Sequence, residues 1–191
     1  MSEIPGILPS QEMDAAIASG VISADLAIPD GQVQPASIDL RLSNTAYRVR
    51  ASFLPGANAT VADKLKNFTM HKIDLTDGAV LEKGCVYIVP LQESLKLPAD
   101  TSGMANPKSS TGRLDIFTRV ITDGAAEFDR IEAGYSGPLY AEISPLTFSV
   151  LVHPGSRLSQ LRLRRGEFEV ADGVAFTVDL TGFEVDDQAK K

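Results

Sequence analysis

Short runs in which apolar and polar residues alternate, each closed by a turn former, constrain this chain more than any other feature of it. Tyr47 to Phe53, Val86 to Leu91, Ile116 to Thr122, Leu139 to Ser144, Phe148 to Val152, Leu158 to Leu163 and Val174 to Leu180 all read this way. Their period of two is that of half-buried strands, and Gly, Pro, Asp or Asn lies between most of them. Many short strands with frequent turns predict a mainly β fold, a sandwich, jelly roll or barrel, rather than alternating β and α units. Two segments break the pattern. Ser10 can cap a short N-terminal helix to about Ser19, with Met13, Ile17 and the alanines as its apolar stripe and Gly20 as its stop. Thr60 to Phe68 reads as a helical insertion. With 191 residues, 43% of them hydrophobic, the chain suits one domain over residues 1–191 with a sizeable core. Its polar end, residues 184–191, is expected to be mobile.

Charge and cysteine content narrow the function classes. The formal net charge of −7 argues against general nucleic-acid binding, which needs a basic surface to neutralise phosphates. No apolar run approaches the roughly 20 residues of a membrane helix. The opening MSEIPG has an acid where a secretory signal is basic, so a cytoplasmic protein with no membrane partner is expected. The one cysteine, Cys85, neither closes an internal disulfide nor supplies a multi-cysteine zinc site. His71 and His153 have no second ligand at metal-binding spacing, and His153 reads as an exposed residue before a turn.

Three segments carry candidate chemistry. In Gln34 to Arg41, Asp39 and Arg41 alternate with Ile38 and Leu40, the pattern of a solvated strand face with a cross-strand ion pair. Lys108-Ser109-Ser110-Thr111-Gly112-Arg113 places three hydroxyls and two cations within six residues. If Ser109 caps a short helix, free N–H groups and hydroxyls cradle an anion; otherwise the segment is an ordinary surface turn. It lacks the glycine spacing of a Walker loop. Further on, a turn from Ala133 to Pro138 separates Glu132 from a strand on which Tyr140, Glu142 and Ser144 share one face. A carboxylate among such neighbours is either at the surface or held in a pocket, where desolvation shifts it toward general-base duty.

Taken in order, these segments resemble the dCTP deaminase branch of the dUTPase-like superfamily, over about Gln34 to Leu163. The spacing between motifs is closest to the N-terminal module of the long, tandem form of these enzymes. The resemblance implies a distorted β-barrel or jelly roll, and a homotrimer with active sites between subunits. It implies hydrolysis of dCTP to dUTP and ammonia without zinc, magnesium entering with the substrate triphosphate. By this resemblance Glu142 is the catalytic base. Lys108 and Arg113 contact phosphates, with Ser109, Ser110, Thr111 and Gly112 in the same substrate-binding turn. Ser109 helps hold the reacting water. Backbone groups of Tyr140 and Ala141 read the cytosine edge, and Glu132, where the family usually has aspartate, faces the deoxyribose. Phe183 and Lys190 have the spacing of the family's closing tail. The resemblance leaves open a bifunctional deaminase and dUTP diphosphatase, a dUTPase, and a non-catalytic nucleotide-binding trimer. It also leaves open dTTP as an inhibitor.

Overall fold

The structure, a computed structural model, describes residues 5–166. The expected strand at Val174 to Leu180, the tail, Phe183 and Lys190 lie outside the described residues. In chain order the first half runs β1 (Gly6–Ile7), α1 (Ser10–Ala18), β2 (Ile22–Ala24), β3 (Val33–Gln34), β4 (Ser37–Arg41), β5 (Thr45–Val49), α2 (Val61–Phe68), β6 (Thr69–Asp74) and β7 (Ala79–Leu81). It continues β8 (Val86–Lys96), β9 (Thr101–Pro107), α3 (Ser109–Arg113), β10 (Ile116–Thr122), β11 (Arg130–Ile131), β12 (Ser136–Pro145), β13 (Val150–Val152) and β14 (Arg157–Arg165). One antiparallel sheet has the order β11-β9-β14-β4-β3, with β1 against β14. The other has the order β10-β12-β8-β5-β6, with β2 against β8, and β13 pairs with β7 in a separate ribbon. The mainly β expectation therefore holds, built as open sheets whose hydrogen bonding, among the described residues, does not close into a barrel.

Alternation on β12 explains how the second sheet is packed. Leu139, Ala141 and Ile143 face the main core between the sheets, beside Val89, Tyr87 and Val120. Tyr140 and Glu142 face the other way, where Ile88 and Ile121 join a second apolar cluster with Phe53, Val61 and Leu65. Helix α2 supplies the cover for that second face. Thr60 caps it, its hydroxyl accepting the Asp63 N–H at 3.0 Å, and Val61 and Leu65 point inward one turn apart. The insertion legible in the sequence is thus the lid of a second core. At the N-terminus Pro9 occupies the cap position, and Ser10 is the first helical residue, its hydroxyl bonded to the Gln11 side chain rather than to the helix backbone. Gly20 ends that helix with a φ of 75°, as its sequence suggests.

Between the two sheets lies a buried polar seam. Arg41 of β4 places Nε 2.7 Å from Oε1 of Glu93 on β8, and its own backbone N–H donates to the other Glu93 oxygen at 2.8 Å. Gln32 donates to Glu93 and to the Asp39 carbonyl, while the remaining Arg41 nitrogens donate to the carbonyls of Leu26 and Ala27. The expectation of a solvated β4 face is corrected here, since Asp39 and Arg41 are both buried. Both faces of β4 are covered, so each charge needs a partner from another element. Replacing Arg41 with Met would leave the buried Glu93 carboxylate without its counter-charge. We expect a loss of about 3 kcal/mol, read as a lower urea midpoint with unchanged slope.

The loop after β10 is fixed by Asp129, which adopts φ 64°. Its carboxylate accepts the Val120 N–H at 2.7 Å, and its own N–H donates to the Val120 carbonyl at 2.9 Å. Burial pushes its carboxyl pKa up, against the opposing effect of the Val120 hydrogen bond. The folded state therefore holds this proton more tightly than the unfolded chain, and stability falls as pH rises from 3.8 through the raised value. Asparagine keeps the acceptor and tolerates the left-handed backbone. Asp129→Asn should raise Tm slightly at pH 8, with the advantage shrinking as pH drops toward 4, as calorimetry at several pH values would show.

Candidate active site

Glu142 stands on β12 of the second sheet, between Arg119 on the edge strand β10 and Ile88 on β8. It is 1% exposed, which resolves the choice between surface and pocket in favour of burial. Its Oε1 accepts from Arg119 Nη2 at 2.5 Å and from Nε at 3.2 Å. Its Oε2 is buried and has no hydrogen-bond partner among the described residues. The Arg119 guanidinium lies 3.5 Å from the ring centre of Phe128 and 4.7 Å from that of Phe117, and Nη2 also reaches Ser52 Oγ at 3.0 Å. A carboxylate among apolar side chains thus gains one cation, held by the faces of two aromatic rings. Sequence reasoning missed Arg119. A charge inside the apolar run Ile116 to Thr122 was the available signal, but its partner follows only from strand register.

The Lys108 to Arg113 segment forms the short helix α3, with Lys108 rather than Ser109 as its cap residue. Ser109, Ser110, Gly112 and Arg113 are exposed. Thr111 turns inward, its hydroxyl donating to the Leu158 carbonyl at 2.9 Å. Lys108 pairs with Oδ2 of the buried Asp39, and Arg157 approaches the same oxygen at 3.7 Å. Asp39 thereby offsets part of the positive charge at this turn. The exposed cation it leaves for an anion is Arg113.

Glu132 lies elsewhere, exposed and paired with Arg130 at 3.0 Å. These two residues separate a cavity of about 280 Å³, walled by residues 122–127 and Tyr135, from one of about 750 Å³ beside Asp100, Met104 and Arg164. Tyr135 holds the smaller wall in place. Its hydroxyl donates to the Pro138 carbonyl at 2.6 Å and accepts the Asp123 N–H at 3.3 Å, and burial pushes its pKa up to about 12. Gly137 leaves room beside it, since a Cβ there would stand 2.7 Å from the Tyr135 hydroxyl and force the ring to shift. The ladder between β12 and β8 shifts register between Pro138 and Tyr140. Tyr140 packs in the second core, where burial raises its phenol pKa, and Ala141 faces the main core. His153 is exposed before the β13–β14 turn, as its sequence context suggests.

Three charged loci result: Glu142 with Arg119, α3 with Asp39, and Glu132 with Arg130. Among the described residues no hydrogen bond or ion pair between side chains joins one of these loci to another.

Residues 4–167 match the family described as 2'-deoxycytidine 5'-triphosphate deaminase (DCD) N-terminal domain. The crystal structure of 2'-deoxycytidine 5'-triphosphate deaminase from Agrobacterium tumefaciens is 60% identical, with a TM-score of 0.84 over 86% of this chain. The match covers 49% of that protein, so this chain spans about half its length. A dCTP deaminase of Halorubrum lacusprofundi is 31% identical over 155 residues, 78% of this chain and 73% of the relative. A dUMP-forming dCTP deaminase of Beutenbergia cavernae is 28% identical over 156 residues, 81% of this chain and 77% of the relative. Both sheets, α3 and the strand that bears Glu142 lie within the matched segment, and the chain belongs to the dCTP deaminase family.

Proposed function

We propose that this chain hydrolyses dCTP to dUTP and ammonia, with Glu142 as the general base. The observation that carries this reading is the buried Glu142 carboxylate, tied through one oxygen and unpartnered at the other. Water attacks cytosine C4 while Oε2 takes its proton, giving a tetrahedral centre. The protonated carboxyl then passes that proton to the ring at N3, and the amino group leaves as ammonia once the C4 hydroxyl proton has been relayed to it. General acid–base help of this kind supplies about 10²- to 10⁴-fold. The sequence, with one cysteine and two histidines, favours a protein carboxylate over a zinc-activated water.

The exposed hydroxyls of Ser109 and Ser110 and the guanidinium of Arg113 suit the triphosphate, which arrives with magnesium as part of the substrate. Lys108 adds positive potential beside them. Glu132 and the smaller cavity suit the deoxyribose. In this reading the chain works in the cytoplasm as a homotrimer whose sites lie between subunits, with dTTP as a candidate inhibitor. A second reading, release of dUMP by further cleavage of dUTP, is favoured by the similarity to dUMP-forming dCTP deaminases, which is close to that of relatives named dCTP deaminase without that qualifier.

Chromatography of dCTP, dUTP and dUMP during incubation of the chain with dCTP and magnesium tests both readings. dUTP accumulation supports the first, dUMP the second, and binding without turnover a regulatory protein. Glu142→Gln should keep nucleotide binding and lose turnover by about 10²-fold or more; near-normal turnover removes Glu142 from the mechanism. Arg113→Ala should weaken apparent triphosphate affinity by about 10-fold, the worth of one charge-assisted hydrogen bond, with a smaller change in kcat.

A further inference from the structure

We propose that Arg119 is the positioning residue of Glu142: it fixes the carboxylate through Oε1 and so reserves Oε2 for the reacting proton. This inference rests on the proposed role of Glu142. The two oxygens of that carboxylate differ sharply. Oε1 accepts two nitrogens of one guanidinium, and Oε2 is buried without a partner among the described residues. A carboxylate so deeply buried is costly to keep ionised unless a cation stands beside it.

Arg119 is itself positioned from several sides. β10 supplies its backbone, Ser52 accepts from Nη2, and the rings of Phe128 and Phe117 lie against the guanidinium at 3.5 and 4.7 Å. Planar stacking combined with two nitrogens on one oxygen is something a guanidinium does and an ammonium does not. The arrangement limits rotation of the Glu142 carboxylate, and a general base depends on such placement within hydrogen-bond reach of its proton. Arg119 acts through Glu142, and its loss should be felt in the chemical step more than in substrate capture.

Steady-state kinetics with dCTP on Arg119→Ala and Arg119→Lys, in the full chain, test this. Arg119→Ala should lower kcat by about 100-fold, the cost of a misplaced catalytic group, with KM within a few-fold of the parent. Arg119→Lys keeps the charge, loses the fork and the stacking, and should recover about 10-fold of that loss. Unchanged kcat in Arg119→Lys, or a rise in KM with kcat intact, overturns the proposal. If Arg119→Ala fails to fold because Glu142 is stranded, the Arg119→Lys comparison with the parent decides alone: lowered kcat at unchanged KM supports the assignment. Glu142→Gln, measured in parallel, separates the two layers. Activity in that variant removes the reading of Glu142 itself, whereas a dead Glu142→Gln beside a fully active Arg119→Lys removes only the role of Arg119.

Discussion

Burial of the second sheet on both of its faces is the constraint from which most of this structure follows. One face of β12 closes the main core and the other packs on the cluster capped by α2, so residues near the middle of the strand are largely withdrawn from solvent. A charged group in such a place must bring its counter-charge with it. Arg119, directly opposite in the ladder, is that counter-charge for Glu142. The same reasoning explains the aromatic rings around the arginine. They cover its apolar plane while leaving its N–H groups in the direction of the carboxylate and of Ser52.

A similar logic, applied at two other places, gives different outcomes. At the seam between the sheets Arg41 and Glu93 satisfy each other, with backbone carbonyls taking the remaining guanidinium nitrogens, so the pair is closed and structural. At α3 the buried Asp39 ties down Lys108 from below, while Arg113 projects from the helix. The seam leaves neither Glu93 oxygen free, whereas Glu142 and Asp39 each keep one buried oxygen without a hydrogen-bond partner among the described residues.

Much of the architecture was legible in the sequence because period-two alternation is a local property. Ile116 to Thr122 is the observed β10 to the residue, and Thr60 caps the helical insertion as its position suggests. β6 and β9 were not legible. His71 and Lys72 of β6 are exposed and break its apolar pattern, and β9, Thr101–Pro107, carries Gly103 and Asn106 where strand formers are expected. A Cβ at Gly103 would come within 3.1 Å of Ile131 and of Leu161, so a side chain there would crowd three separate strands.

The order of motifs in the sequence was enough to determine the family resemblance, the candidate turn at Lys108 to Arg113 and Glu142 as the candidate base. Those depend on residue types at fixed spacing along one chain. Only the tertiary structure decided that Asp39 and Arg41 are buried, that Thr111 faces inward and that Glu142 is paired with Arg119. Each of these is set by strand register and by which element covers a given face. Two residues 23 positions apart become neighbours through the β10–β12 ladder, a relation that alternation along a single strand does not contain.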